Sequence, residues 1–200
     1  MSLLPRRILS VNTARVGHID IDGRRIATAI GKQPVSSESE PRRIAVGRLG
    51  LDGDEQADPE VHGGIAKAVY AYPVEHFPFW QTVRAQAGVA AWDTPLPPGL
   101  MGENLSLSGL LEADAWVGDV LQFADCTLAI SEPRQPCYKF EARMFRQASK
   151  MMAQSGFCGF YLSVRNPGTL AAGDTYELVP GPREVSIREL FRVKMRRRDV

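Results

Sequence analysis

Polar and apolar positions alternate through the first thirty residues. Ile19 and Ile21 flank Asp20, Asp22-Gly23 interrupts, and Ile26, Thr28 and Ile30 resume the alternation. A period of two predicts strands, and Asp-Gly between two such runs predicts a two-residue hairpin, because both central positions need positive φ. Residues 32–42 (KQPVSSESEPR) are rich in Ser, Glu and Pro and read as an exposed loop. Residues 46–72 mix Gly, Asp and His with short apolar runs, a loop-dense pattern of the kind that carries chemistry. The spacing of Phe77, Trp80, Val83, Arg84 and Ala87 predicts a helix over 74–87, with Pro78 bending it or shifting its start.

The strand pattern returns after residue 115. Val120 to Phe123, a turn at Ala124-Asp125, and the alternating Cys126, Leu128 and Ile130 predict a second hairpin. Gly118-Asp119 and Gly173-Asp174 each predict a tight turn into a strand. Met144, Ala148, Met151 and Met152 share a face of a helix expected from Glu141 to Ser155, with Gly156 as its stop. A strand over 158–164 leads to the turn Asn166-Pro167-Gly168. Ser186-Ile187-Arg188-Glu189 is a capping box, so a short basic helix is expected from Ile187 onward. Many short strands with two or three helices predict a mainly β fold, a barrel or a curled sheet.

Composition narrows the class. A chain of 200 residues suits one domain and is long enough to bury a core without a disulfide or metal staple. A net charge of +1 gives no global field favouring nucleic acid or an anionic membrane. Arg196-Arg197-Arg198 reads as a solvated helix end. Cys126, Cys137 and Cys158, odd in number and widely spaced, make a poor disulfide framework and read as reduced, which points to the cytoplasm. No secretory leader is expected, and no apolar run approaches the roughly 18 residues of a membrane span. The nucleotide-binding loops G-x-x-x-x-G-K-[ST] and G-x-G-x-x-G are absent, as are G-x-S-x-G, C-x-x-C and H-E-x-x-H. A zinc site is therefore not expected.

Three clusters are candidates for chemistry. The first is Val61-His62-Gly63-Gly64 with Lys67 and Tyr70. Two glycines let the backbone approach a ligand closely, and His62 is then a donor, base or ligand; the alternative is a turn with a surface histidine. The second is Gly102-Glu103-Asn104, an acid and an amide suited to a polar ring, or equally a capped turn. The third is Glu132-Pro133-Arg134-Gln135-Pro136-Cys137-Tyr138-Lys139. Two prolines stiffen the backbone there, and Arg134 and Lys139 favour the thiolate, the form that binds metals. Read alone, Cys137 is a functional thiol or a small buried hydrophobe. Cys126 and Cys158 sit in strand patterns and read as buried. Arg134, Lys139 and Arg143 form a candidate phosphate clamp, or a solvated charged face.

Taken in order, the stretches LGLDGDEQ (49–56), VHGG with Lys67 to Tyr70, YPVEHFPFW (72–80), GENLS (102–106), the Gly118-Asp119 pair and EPRQPCYK (132–139) resemble the MOSC family, most closely its YiiM-like branch. The name denotes the molybdenum cofactor sulfurase C-terminal domain. The resemblance covers about residues 10–180 and implies a β-barrel-like domain over 1–185 with a few peripheral helices. Residues 186–200 are then a short C-terminal helix, where YiiM-like proteins usually carry a bundle. It further implies that Cys137 is the thiolate ligand of molybdenum in a molybdopterin cofactor. His62, Glu103 and Asn104 would line the pterin or substrate side. Lys67, Arg134 and Lys139 would contact the cofactor's anionic groups, with Tyr70 packed nearby. The implied reaction is reduction of N-hydroxylated compounds, such as hydroxylaminopurine-type base analogues, fed by a flavoprotein or other electron donor. A non-redox alternative makes Cys137 the carrier of sulfur or of the cofactor itself. A third makes Cys137 and His62 a hydrolase pair, although the sequence offers no oxyanion loop for one.

Overall fold

The structure is a computed structural model that describes residues 4–58 and 63–196. In chain order its strands are β1 (Arg7–Thr13), β2 (Gly17–Ile21), β3 (Arg24–Thr28), β4 (Gln33–Ser37), β5 (Ile44–Gly47), β6 (Gly50–Leu51) and β7 (Val69–Pro73). They continue as β8 (Leu105–Ser108), β9 (Val120–Gln122), β10 (Thr127–Pro133), β11 (Phe160–Asn166), β12 (Gly168–Leu170) and β13 (Glu177–Val179). Eight of these form one sheet, ordered β13-β9-β10-β11-β7-β8-β1-β4. Its pairings are antiparallel except β7 with β8, which run parallel. A three-stranded sheet, β12-β5-β6, and the hairpin β2-β3 complete the β structure among the described residues.

The mainly β reading holds, and the sheet is barrel-like without closing. The segment before β13 curls back onto β1, where Thr175 bridges Arg7 and the Asp174 carbonyl accepts the Ile8 N–H at 2.9 Å. This contact does not extend to β13 and β4, which remain the two edges of the ladder. The β2-β3 turn has φ of 52° at Asp22 and 73° at Gly23, as a two-residue hairpin requires. The two Gly-Asp turns use their carboxylates differently: Asp174 accepts the Ala171 N–H at 2.9 Å and closes its own turn, whereas Asp119 accepts the Gly181 N–H at 2.7 Å and ties its turn to a distant segment.

The helices are α1 (Phe77–Gln86), α2 (Tyr138–Met144), α3 (Ala148–Ser155) and α4 (Ile187–Arg196). Pro78 lies in the first turn of α1, where a missing N–H costs nothing, so the helix starts later than residue 74. Trp80 and Phe140, from α1 and α2, are fully buried with Tyr72 and Phe160 of the sheet, and α4 adds Ile187 and Phe191 to the same core.

Two elements differ from expectation. Residues 33–37 are not loop but edge strand β4, paired with β1. One buried and two half-buried residues among five, with Ser at two of those three positions, give no apolar alternation for the sequence to show. The helix expected from Glu141 to Ser155 is two helices. Gln147 has φ of 74°, a left-handed conformation that breaks the run, and the Glu141 carboxylate accepts its N–H at 2.9 Å.

Candidate functional site

The site is assembled on a cross-strand row. Glu132 of β10, Tyr161 of β11 and Tyr70 of β7 are register partners. Asn104, just before β8, extends the row: its side-chain Oδ1 accepts the Tyr70 N–H at 3.0 Å, and its own N–H donates to the Tyr70 carbonyl at 2.8 Å. A cleft opens beside this row, lined among others by Lys32, Asp54, Tyr70, Arg134, Cys137 and Tyr161. It encloses about 650 Å³, counted out through its open mouth. A second groove shares Lys67, Cys137, Lys139 and Tyr161 with the first. Cys137 therefore stands where the two spaces meet.

Cys137 follows Pro136 at the end of the segment leaving β10 and begins α2, its carbonyl accepting the Phe140 N–H at 3.0 Å. Its side chain is partly exposed, whereas Cys126 and Cys158 are buried. Burial pushes the Cys126 thiol up to about 11 and raises that of Cys158 well above its ordinary value. Both stay protonated at neutral pH. Cys137 is thus the thiol that faces open space, and the reading of the other two as structural holds.

Arg134 is 5% exposed. Its guanidinium lies 5.0 Å from the Tyr70 ring centroid and 4.8 Å from that of Phe140, and Nη1 donates to the Met101 carbonyl at 2.8 Å. Among the described residues no carboxylate lies within ion-pair distance of it. Burial raises the pKa of Tyr70 and Tyr161, so both remain neutral phenols. A buried cation without an anion is costly, so this wall is built to face negative charge. The Cys137 sulfur interacts electrostatically with Arg134.

The same cleft carries a buried ion pair that the sequence did not reveal. The side chains of Lys32 and Asp54 are 8% and 5% exposed. Asp54 Oδ1 accepts from the Lys32 ammonium and from the Ala14 N–H at 2.8 Å. Its Oδ2 accepts from Asn104 Nδ2 at 2.9 Å. Burial lowers the Lys32 pKa, and the facing Asp54 carboxylate opposes that shift.

The other expected residues divide. Asn104 lines the cleft, but its amide is fully engaged: Nδ2 also donates to the Asn12 carbonyl at 3.2 Å. Its part is to hold Asp54 and the β7 backbone. Glu103 does not line the cleft. It is fully buried behind the wall, where Oε1 accepts the Gly99 N–H at 2.6 Å and the Ser106 hydroxyl at 2.7 Å. Burial raises its pKa. Gly102 turns the chain with φ of 82°, and a Cβ there would stand 2.9 Å from Ile30 Cγ1. Lys67 lines both spaces and pairs with Glu132 at 3.8 Å. Lys139 also lines both and donates to the Ala27 carbonyl at 3.0 Å. Arg143 lines neither, so the suggested three-residue clamp reduces to Arg134 and Lys139. His62 lies outside the described residues.

Lys32, Asp54 and Tyr161 escaped the reading of single motifs. Asp54 lies inside LGLDGDEQ with no partner near it in sequence, and Lys32 opens a stretch whose composition reads as loop. Their pairing across 22 positions follows from the fold alone.

Comparison with known proteins gives this curled sheet its class. The MOSC domain matches residues 58–177. The chain belongs to the MOSC domain family, and the expected placement in its YiiM-like branch is borne out. The protein YiiM of Escherichia coli (strain K12) is 34% identical over 166 residues, which are 81% of this chain and 68% of that protein. The crystal structure of YiiM from Geobacillus stearothermophilus superposes with a TM-score of 0.73 at 30% identity, covering 98% of this chain and 87% of that one. A protein of Gibberella moniliformis (strain M3125 / FGSC 7600) named a reductase is 30% identical over 184 residues, 89% of this chain but 30% of that protein. Among the described residues, no helix is long and apolar enough to cross a membrane.

Proposed function

We propose that this chain is a molybdenum cofactor-dependent reductase of N-hydroxylated compounds, with Cys137 as the metal's protein ligand. The observation that carries the reading is that one accessible thiol shares a cleft with buried Arg134, which has no carboxylate within ion-pair distance among the described residues. The donor set fits such a group. Among the described residues, no cluster of three or more His, Cys, Asp or Glu side chains could cage a metal ion. A cofactor that brings two sulfurs of its own asks the chain for one more, and a soft thiolate suits it.

When bound, the cofactor supplies two electrons to an N–O bond through a metal held by its dithiolene and one protein thiolate. The balance is R₂N–OH + 2 e⁻ + 2 H⁺ → R₂NH + H₂O. The chain's own residues bind and orient. Cys137, which lines both spaces, would hold the metal through its sulfur. Arg134 would offset the negative charge of the sulfur ligands, and Lys67 and Lys139 would hold the cofactor's anionic groups. Tyr70, whose hydroxyl donates to the Cys158 carbonyl at 2.8 Å, and Tyr161 form a wall that keeps water from the reacting side. The reductase name borne by one relative supports the redox reading over a carrier role.

The test is turnover. Protein from a host that makes the cofactor should convert an N-hydroxylated purine to its amine with reduced viologen as donor. Stoichiometric molybdenum and pterin with no product would reject the reductase reading and favour a carrier.

A further inference from the structure

Breaking an N–O bond by reduction releases an oxygen that leaves poorly as hydroxide. It needs a proton as it departs, and in a walled cleft a positioned side chain supplies it. Several lining groups are unsuited. The Tyr70 hydroxyl is committed to a carbonyl, and burial makes both Tyr70 and Tyr161 weaker acids. Asn104 has no proton to give, and a guanidinium does not deprotonate in proteins. Lys67 pairs with Glu132 at 3.8 Å through a side chain that is 26% exposed, and Lys139 reaches the Ala27 carbonyl from a partly exposed position, so neither ammonium is held on a buried support.

Lys32 differs. It lines the cleft, its side chain is 8% exposed, and among the described residues its ammonium has one hydrogen-bond partner, Asp54. Two of its three N–H groups are therefore left for a ligand. Asp54 is itself fixed by the Ala14 N–H and by Asn104, so the ammonium sits on a rigid support. The charged groups facing it are Asp54, Glu103 and Arg134, and Glu55, Asp58, Lys67 and Lys139 line the rest of the cleft. Burial shifts Lys32 toward a stronger acid than a solvated lysine.

Resting on the reductase reading above, we propose that Lys32 is the acid that protonates the departing oxygen, held in place by Asp54 as a positioning residue. As the N–O bond breaks, a Lys32 N–H bond gives its proton to that oxygen, which leaves as water. The two electrons come from the reduced molybdenum cofactor, and the substrate nitrogen takes the second proton. Lys32 is left as a neutral amine and is reprotonated from solvent.

The test uses the molybdenum-loaded holoprotein and two variants. Lys32→Arg keeps the positive charge but is too weak an acid. The double variant Lys32→Met/Asp54→Asn removes the charge without leaving a buried carboxylate unpaired. Both should lose about 100-fold or more in viologen-driven turnover, the size of a general-acid contribution. Molybdenum and pterin content per chain, and the melting temperature, should stay at the wild-type values. A Lys32→Arg rate within about threefold of wild type would reduce Lys32 to a fixed charge and overturn the proposal. So would a loss of molybdenum in step with activity, which would place Lys32 in cofactor retention. Loaded wild-type protein without turnover overturns the reductase reading, and this inference with it.

Discussion

Burial divides the ionisable side chains around the cleft by task. Cys137, Arg134, Lys67, Lys139 and Tyr70 were legible because each sits in a motif, and all five line the cleft. Glu103 was legible as a motif residue but not in its placement, since three letters do not say on which side of a wall a carboxyl falls. Its burial gives a pH signature. The folded-state pKa is raised above 4.5, so between the two values the folded chain holds a proton that the unfolded chain has lost. Its contribution to stability is therefore present below about pH 4.5 and declines as pH rises through the folded value. Glu103→Gln keeps an acceptor for Gly99 and Ser106 and cannot ionise. Its melting temperature should match wild type near pH 4, exceed it as pH rises from there to the folded value, and keep a constant lead above that, by roughly 2–4 °C for each kcal/mol of relief. A gap between the two that stays constant from near pH 4 upward would rule out a titrating Glu103 as the cause.

Secondary structure was legible where local chemistry decides it. The Asp22-Gly23 hairpin, the Gly173-Asp174 turn and the late start of α1 at Pro78 are set by residues within four positions of one another. The capping box of α4 belongs with them. The Ser186 hydroxyl accepts the Glu189 N–H at 3.2 Å, and the Glu189 carboxylate accepts the Ser186 N–H at 3.0 Å. Because α4 inserts Ile187 and Phe191 into the main core, the cap anchors more than a free end. Ser186→Ala should cost about 1 kcal/mol in urea unfolding, with the slope against urea unchanged. What local chemistry does not decide was missed. β4 is a strand because β1 offers it an edge, and Gln147 breaks a run of good helix formers because the Glu141 carboxylate captures its N–H.

The cleft itself belongs to the whole chain. Residues 32, 54, 70, 104, 134 and 161 come from six separate segments, and the curled sheet brings them together. No spacing rule links them, which is why the site was readable as a family likeness before it was readable as geometry. The family likeness pointed to Cys137 and Arg134, and the fold adds the Lys32–Asp54 pair to the same cleft. If Cys137 is the chain's hold on a molybdenum cofactor, its sulfur is required for retention while the fold is not at stake, because the side chain is only partly buried. Molybdenum and pterin per chain should therefore be measured in wild-type and Cys137→Ser protein purified from the same cofactor-making host. The expected result is close to one of each in wild type and almost none in the variant, at an unchanged melting temperature. A serine variant that retained both at the wild-type level would contradict the assignment.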